Sequence, residues 1–327
     1  MSSPSISAVV TVYNAEEYIG ESLAGILEQT RPPQEVIVVD DGSTDGTPAE
    51  LAKFGAEIRV IRQPNRGHAP ALNVGFSEAR GDYIAKCDAD DVWTAEKLER
   101  QAAAIVEHPE IDIAFTAVWV FGTLEQSRGL HTAGVSGEGV LERSRLAPAL
   151  YRANFICPSS TLIRRELYRR LGPFSEDLAG EDYDYWFRAL QADARFYYDP
   201  EMLVRYRRHD RQITSDVLRT RRGMYEVQAM HADMIEDRRL VNVVLADQMF
   251  RIGRVLVDEG RPREARQAFI ASLRHGHGRP SSTTARALLW AAILGLPAGA
   301  REHAGHLSVA ISRAADSVRG TERPILP

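Results

Sequence analysis

Three short acidic runs are the residues most able to do chemistry. Residues 88–91 read Asp-Ala-Asp-Asp, residues 40–43 read Asp-Asp-Gly-Ser, and residues 181–184 read Glu-Asp-Tyr-Asp. Carboxylates this close repel one another unless a cation or hydrogen-bond donors compensate. Hard divalent ions such as magnesium take oxygen ligands, often one or two carboxylates completed by substrate phosphates. The run at 88–91 therefore suits a carboxylate–metal–diphosphate bridge. It suits equally a turn in which Asp90 or Asp91 caps a helix starting near Thr94. At the second run, a carboxylate can accept the N–H of a pyrimidine base, with Thr11 adding a hydroxyl and Tyr13 a stacking face. Asp-Gly with Ser and Thr is also what any turn before a helix uses, and core packing is the common fate of a lone tyrosine. Glu181 and Asp182 sit where a helix begins, and acids there oppose its dipole. Trp186, four positions on, either lines a substrate site or packs in the core. A basic stretch, Arg205, Arg207, Arg208 and His209, completes the set. Arginine suits bidentate phosphate contacts, so one member, His209 foremost, closes over a diphosphate or its metal. The alternative is an exposed face of a strand.

These runs must be held by something, and the first hundred residues supply it. Ile6–Val12, Glu35–Asp40, Ile58–Ile61 and Asp82–Cys87 read as buried strands. Glu16–Gln29, Thr47–Phe54, Ala69–Ala79 and Thr94–Glu107 read as the intervening helices. Such alternation implies βαβ units and a mostly parallel sheet flanked by helices. Ligands in these sheets sit beyond the carboxyl ends of the strands, which is where Thr11, Asp40, Asp41 and Asp88 fall. Beyond residue 110 the pattern loosens. Ile111–Phe121, Ser159–Ile163 and Met202–Arg207 read as strands, Gly180–Ala192 as a helix, and 122–150 as a glycine-rich connection. From residue 217 only helical periodicity appears, broken at Gly260-Arg261-Pro262. The expected organisation is one domain over 1–216, with a nucleotide-binding half (1–110) and an acceptor half (111–216), then a helical region over 217–327.

Composition narrows the classes. The chain has 327 residues, 44% hydrophobic and 26% charged, with two cysteines. Disulfide-rich, collagen-like and disordered classes are excluded. The N-terminal apolar stretch is too short for a signal peptide, and no run reaches the ~18 apolar residues of a membrane span. A cytoplasmic protein, free or at the membrane surface, is expected. Residues 1–204 carry 19 Lys+Arg against 32 Asp+Glu, and residues 205–327 carry 21 against 13. The acidic part argues against nucleic acid as a partner. The basic part offers a face to a membrane surface or to a second copy of the chain, or is simply a solvated helical surface. No GxGxxG follows the first strand and no GxxxxGK[ST] occurs, so neither a dinucleotide-binding turn nor a P-loop is present.

Taken together, VVTVYNAEEYIGESLAGILEQT, EVIVVDDGSTDGT, QPNRGHAPALNVGFSEARGDYIAKCDADDVW, SSTLIRRELYRRLGPFSEDLAGEDYDYWFRAL and LVRYRRH resemble family 2 glycosyltransferases over roughly residues 5–210. The resemblance implies a GT-A fold and transfer of a sugar from a nucleotide-diphosphate donor, with UDP preferred, to an acceptor hydroxyl. It implies that Thr11 and Asp41 contact the base, with Tyr13 and Asp40 nearby. Arg66 approaches the nucleotide and Asp88 the ribose. Asp90, helped by His209, holds Mn2+ or Mg2+. Asp182 is the general base, with Glu181 and Trp186 on the acceptor side. A single base and a single metal suit displacement with inversion, since no nucleophile is marked for a double displacement. The processive QxxRW signature is missing, which favours single-sugar addition. Two other functions share the carboxylate-rich α/β edge: a sugar-phosphate nucleotidyltransferase, and a non-catalytic nucleotide-sugar-binding module. Residues 11–20 lack the glycine- and base-rich loop the former needs.

Overall fold

The computed structural model describes residues 3–122, 129–130, 135, 137–276 and 282–295. Parts of the glycine-rich connection, and residues 277–281 and 296–327 of the helical region, lie outside these. Two compact units are present, one of residues 1–177 with 181–212, the other of 178–180 with residues from 213 onward.

The first unit is a mixed sheet. Strands β1 (Ile6–Val12), β2 (Glu35–Asp40), β3 (Arg59–Arg62) and β4 (Tyr83–Asp88) run parallel in the order β3-β2-β1-β4. Helices α1 (Ile19–Leu27), α2 (Thr47–Ala52) and α3 (His68–Glu78) connect them. Then come the two-residue β5 (Val92–Trp93), helix α4 (Lys97–Glu107) and β6 (Ile113–Gly122), followed by the short β7 (Gly129–Leu130) and β8 (Gly139–Leu141). Helix α5 (Arg143–Arg152), β9 (Leu162–Arg164), α6 (Arg165–Leu171), α7 (Glu181–Gln191) and β10 (Phe196–Arg208) complete the unit.

Both faces of β1 are buried because successive side chains alternate between two helical layers. Ala8, Val10 and Val12 join a core with Ile19, Leu23 and Ile26 of α1 and Leu98, Ala102 and Ile105 of α4. Val9 faces α3 instead. Gly75 lets that helix approach, since a Cβ there would fall 2.4 Å from Val9 Cγ1.

The order continues β4-β9-β6-β10-β5. The long β6–β10 ladder is parallel, whereas β9 inserts antiparallel between β4 and β6, and β5 pairs antiparallel with β10. All long ladders are thus parallel and all antiparallel pairings short. The expected start of β10 at Met202 is too late. The register shifts between Asp199 and Val204, at Pro200, whose missing N–H removes it from a regular ladder. Such a bulge disguises one strand as two.

In the second unit, α8 (Val217–Met230), α9 (Arg238–Asp258), α10 (Pro262–His275) and α11 (Ser282–Leu294) enclose Phe250, Leu256, Phe269 and Trp290. Asp237 caps α9 through the N–H groups of Arg239 and Leu240. Gly260, at φ +70°, ends α9, and Pro262 opens α10. Helix α8 lies so close to the 178–180 backbone that a Cβ on Gly223 would fall 1.4 Å from the Ala179 carbonyl oxygen. No helix among the described residues is long and apolar enough to cross a membrane.

Candidate active site

The carboxyl ends of β1, β2 and β4 form one polar edge. Two of its loops are laced together. Asn14, held at φ +48°, receives Thr44 N–H on its side-chain oxygen at 2.8 Å, while its own N–H donates to Ser43 Oγ at 3.0 Å. Ala15 N–H donates to Thr47 Oγ1 and Glu16 N–H to Asp45, and Glu16 in turn accepts the Gly46 N–H. Much of the Ser-Thr-Asp-Gly-Thr run is spent on this lacing.

Asp40 is 1% exposed; its carboxylate accepts the Ser43 N–H at 2.8 Å and faces Arg62. Its carboxylate thus closes the turn from within, directly beside Asp41. Asp41 is also buried, and it organises the loop before α3, accepting Gln63 Nε2 and Arg66 N–H on Oδ1 and Gly67 N–H on Oδ2. Arg66 is thereby set at the rim, its side chain facing Glu176 at 3.5 Å. The hydroxyl of Thr11 is buried without a hydrogen-bond partner among the described residues. Tyr13 is 49% exposed, so the core fate expected of a lone tyrosine does not apply.

The Asp-Ala-Asp-Asp run resolves its own repulsion residue by residue. At Asp88, burial would raise the carboxyl, but the Lys86 ammonium at 2.6 Å and the His68 ring at 3.4 Å outweigh it and hold it well below the usual range. Ser159 Oγ adds a third contact at 3.2 Å. Asp91 is fully buried, with Oδ1 accepting the Arg207 N–H; burial and the Asp90 and Asp88 charges push it well above the carboxylate range, against the pull of Ser159 and of that N–H. Neither Asp90 nor Asp91 caps α4, which starts after Glu96 without a side-chain cap.

Asp90 is left as the uncompensated member. Burial and the Asp88 charge raise its pKa, opposed by His209 Nε2 at 3.0 Å from Oδ2. The His209 ring stacks on Tyr18 at 4.7 Å, and its Nδ1 accepts the Arg211 N–H. With Nδ1 accepting, the ring donates from Nε2 to Asp90, so His209 lies against the carboxylate expected to hold the metal. Arg207 seals the loop, its Nε donating to the Asp90 carbonyl and its guanidinium paired with Glu21. A carboxylate destabilised by burial and a like charge fits a divalent cation. Among the described residues no group of three or more metal-ligating side chains is arranged to hold one, so phosphates or water would complete the shell.

Across the cleft, α7 presents Glu181 and Asp182 in its first turn. Burial, then the Glu181 charge, pushes Asp182 up to about 6, against the pull of the Asn154 amide at 3.1 Å from Oδ2. Glu181 accepts His68 Nδ1 at 2.6 Å and is held at about 2 despite its burial. His68, between Asp88 and Glu181, is pushed up to about 9 although burial opposes its charge. One neighbouring carboxylate is thus fixed as an anion while the other is poised near neutrality, the arrangement a general base requires. Trp186 is 1% exposed and packs edge-on against Tyr185, so it is a core side chain and lines no substrate site. His68, Lys86 and Asn154 escape sequence reasoning, because each draws its meaning from a partner elsewhere in the fold.

The profile described as Glycosyl transferase family 2 matches residues 7–172. An uncharacterized glycosyltransferase of Rickettsia typhi is 30% identical over 219 residues, covering 66% of this chain and 68% of the relative. One from Haemophilus influenzae is 32% identical over 224 residues, covering 65% and 68%. Among solved structures, residues 1–349 of S. aureus TarS in complex with UDP-GlcNAc align with a TM-score of 0.64 at 22% identity, over 83% of this chain and 81% of that one. A mannosyltransferase of Pyrobaculum calidifontis, in complex with GDP-Man and Mn2+, aligns with a TM-score of 0.53 at 20% identity, over 98% and 89%. The structural likenesses establish a GT-A-like fold.

Proposed function

The chain belongs to glycosyl transferase family 2 and is a glycosyltransferase, and from that premise we propose how its acidic cleft divides the work. The donor is a nucleotide-diphosphate sugar, with UDP the preferred nucleotide. Thr11, Tyr13, Asp41 and the loop carrying Arg66 receive the base, and Asp88 faces the ribose. Asp90 would hold Mn2+ or Mg2+, oriented by the His209 N–H. Such an ion, when bound, offsets the negative charge that grows on the leaving diphosphate. Asp182 takes the proton of the acceptor hydroxyl as that oxygen attacks the anomeric carbon, and the configuration inverts. Glu181 lies beside it on the acceptor side. Family membership leaves no observation in favour of the nucleotidyltransferase or non-catalytic alternatives. The arginine-rich helical region faces an anionic surface or a second copy in this reading.

One observation carries the proposal: Asp182 is buried and held near pH 6 beside Glu181, a fixed anion that His68 ties to Asp88. A melting-temperature screen of UDP- and GDP-sugars with Mn2+ identifies the donor, since a ligand that binds only the native state raises apparent stability. With that donor, Asp182→Asn should lower turnover by about 10²–10⁴, the usual contribution of a general base. Its calorimetric affinity for UDP with Mn2+ should stay within about twofold, since no binding role is assigned to Asp182. A variant that retained most of its turnover would overturn the base assignment.

A further inference from the structure

A single imidazole joins the two sides of the cleft. His68 is the first residue of α3; its Nδ1 lies 2.6 Å from Glu181 Oε1 and its Nε2 lies 3.4 Å from Asp88 Oδ1. Asp88 ends β4, and Glu181 begins α7. The three side chains are 23%, 27% and 17% exposed, so water competes little for these contacts. Asp88 also touches Lys86 of its own strand and Ser159 in the turn before β9, but neither residue belongs to α7. A second tie from α3, between Asn73 and Phe174, attaches seven residues before Glu181 and outside α7. Asn154 orients the Asp182 carboxylate from the acceptor side.

We propose that His68 is a positioning residue: by holding Asp88 with one ring nitrogen and Glu181 with the other, it fixes the first turn of α7, and Asp182 with it, against the donor side of the cleft. Occupancy beside Asp88 is then felt at the base. The ring can donate to Glu181 through Nδ1 and attract Asp88 as an ion pair at 3.4 Å only as an imidazolium, since a neutral ring with its proton on Nδ1 turns an Nε2 lone pair toward the Asp88 oxygen. Its raised pKa supplies that state at neutral pH. The coupling rests on the donor and base roles proposed above, whereas the strut itself is testable without any substrate.

The test is amide hydrogen exchange on the full chain, read at Tyr185, Trp186 and Phe187, whose N–H groups bond back to the first turn of α7. Without ligand, His68→Ala should speed exchange there by about tenfold or more, as expected for loss of charge-assisted bonds, and leave β1 and α4 unchanged. His68→Asn keeps an amide nitrogen near the place of Nδ1 and should restore most of the protection, a rescue that general loosening would not show. Glu181→Gln, which leaves the ring in place and a weaker acceptor opposite it, should loosen α7 in the same direction as His68→Ala but by less, and it carries the test should the alanine variant fail to fold. Adding UDP with Mn2+ to the wild type should then slow exchange both in β4 and in α7, and in His68→Ala only in β4. Wild-type rates at α7 in both His68→Ala and Glu181→Gln would overturn the strut. Equal UDP protection of α7 in His68→Ala would overturn the coupling. A wild type that ignores UDP throughout would overturn the UDP reading and the coupling with it, while the ligand-free comparison still decides the strut.

Discussion

Replacing Asn154 by alanine removes the side-chain amide that donates to Asp182, at 3.1 Å on Oδ2, and leaves the Tyr183 backbone N–H in place. That bond favours the ionised carboxylate, so its loss must raise the pKa of Asp182 above its present value of about 6. A hydrogen bond to a charged group contributes about 1.5–3 kcal/mol, and one pKa unit corresponds to about 1.4 kcal/mol, so the rise is about one to two units. In the proposed role Asp182 acts only when ionised. At pH 6 its ionised fraction would fall from about one half to about one tenth or less, a loss of about fivefold to fiftyfold in kcat/KM, shrinking to about twofold or less at pH 8. Stability at pH 8 should fall by about 1.5–3 kcal/mol, because the buried Asp182 carboxylate loses a donor; removing Asn154 Oδ1, buried with no hydrogen-bond partner among the described residues, offsets part of this. The assay is kcat/KM for sugar transfer from pH 5 to 9, paired with a carbon-13 titration of the carboxyl that needs no substrate. An acid limb that stays in place, or moves down, refutes the reasoning that Asn154 supports the ionised base.

Asp90→Ala should remove the Mn2+-dependent part of UDP affinity in calorimetry while leaving the metal-free part as it was; equal affinity for UDP with and without Mn2+ in the wild type would contradict the ligand role. Gly223→Ala should destabilise the chain by about 1–3 kcal/mol in urea, because its Cβ has no room against the Ala179 carbonyl. Lys97 is fully buried, with its ammonium on Gln101 and over the Trp93 ring, and burial pushes its pKa down to about 7. Because the folded pKa lies below the unfolded one, the wild type loses stability as pH falls from about 10 to about 7. Lys97→Met escapes that loss, so its melting temperature relative to wild type should be higher at pH 6.5 than at pH 10.

The first hundred residues are legible in the sequence because their signals are local. Buried β-branched runs end in polar residues, and helices return the chain to the next parallel strand. The following hundred are written in pairings that join distant segments. Nothing near residue 162 announces that β9 will insert antiparallel between β4 and β6. Pro200 hides the continuity of β10 in the same way. Among the site residues, carboxylates in runs are conspicuous, whereas His68 and Lys86 stand singly in ordinary helix and strand sequence. Trp186 misleads for a related reason. Residue type and spacing reveal which groups approach a strand end or a helix start, but not which way each side chain turns. The Asp40 carboxylate turns back on its own loop, and the Trp186 ring enters the core.

The cross-stitching of the two loops around Asn14 has a consequence for how this protein can diversify. Side chains and amides of each loop bond to the other at fixed offsets, Asn14 with Ser43 and Thr44, Ala15 with Thr47, Glu16 with Asp45 and Gly46. Adding or deleting one residue in either loop would throw every later stitch out of step. Variation at this edge is therefore expected as exchange of individual residues, such as the exposed Tyr13, and not as lengthening or trimming of the two loops.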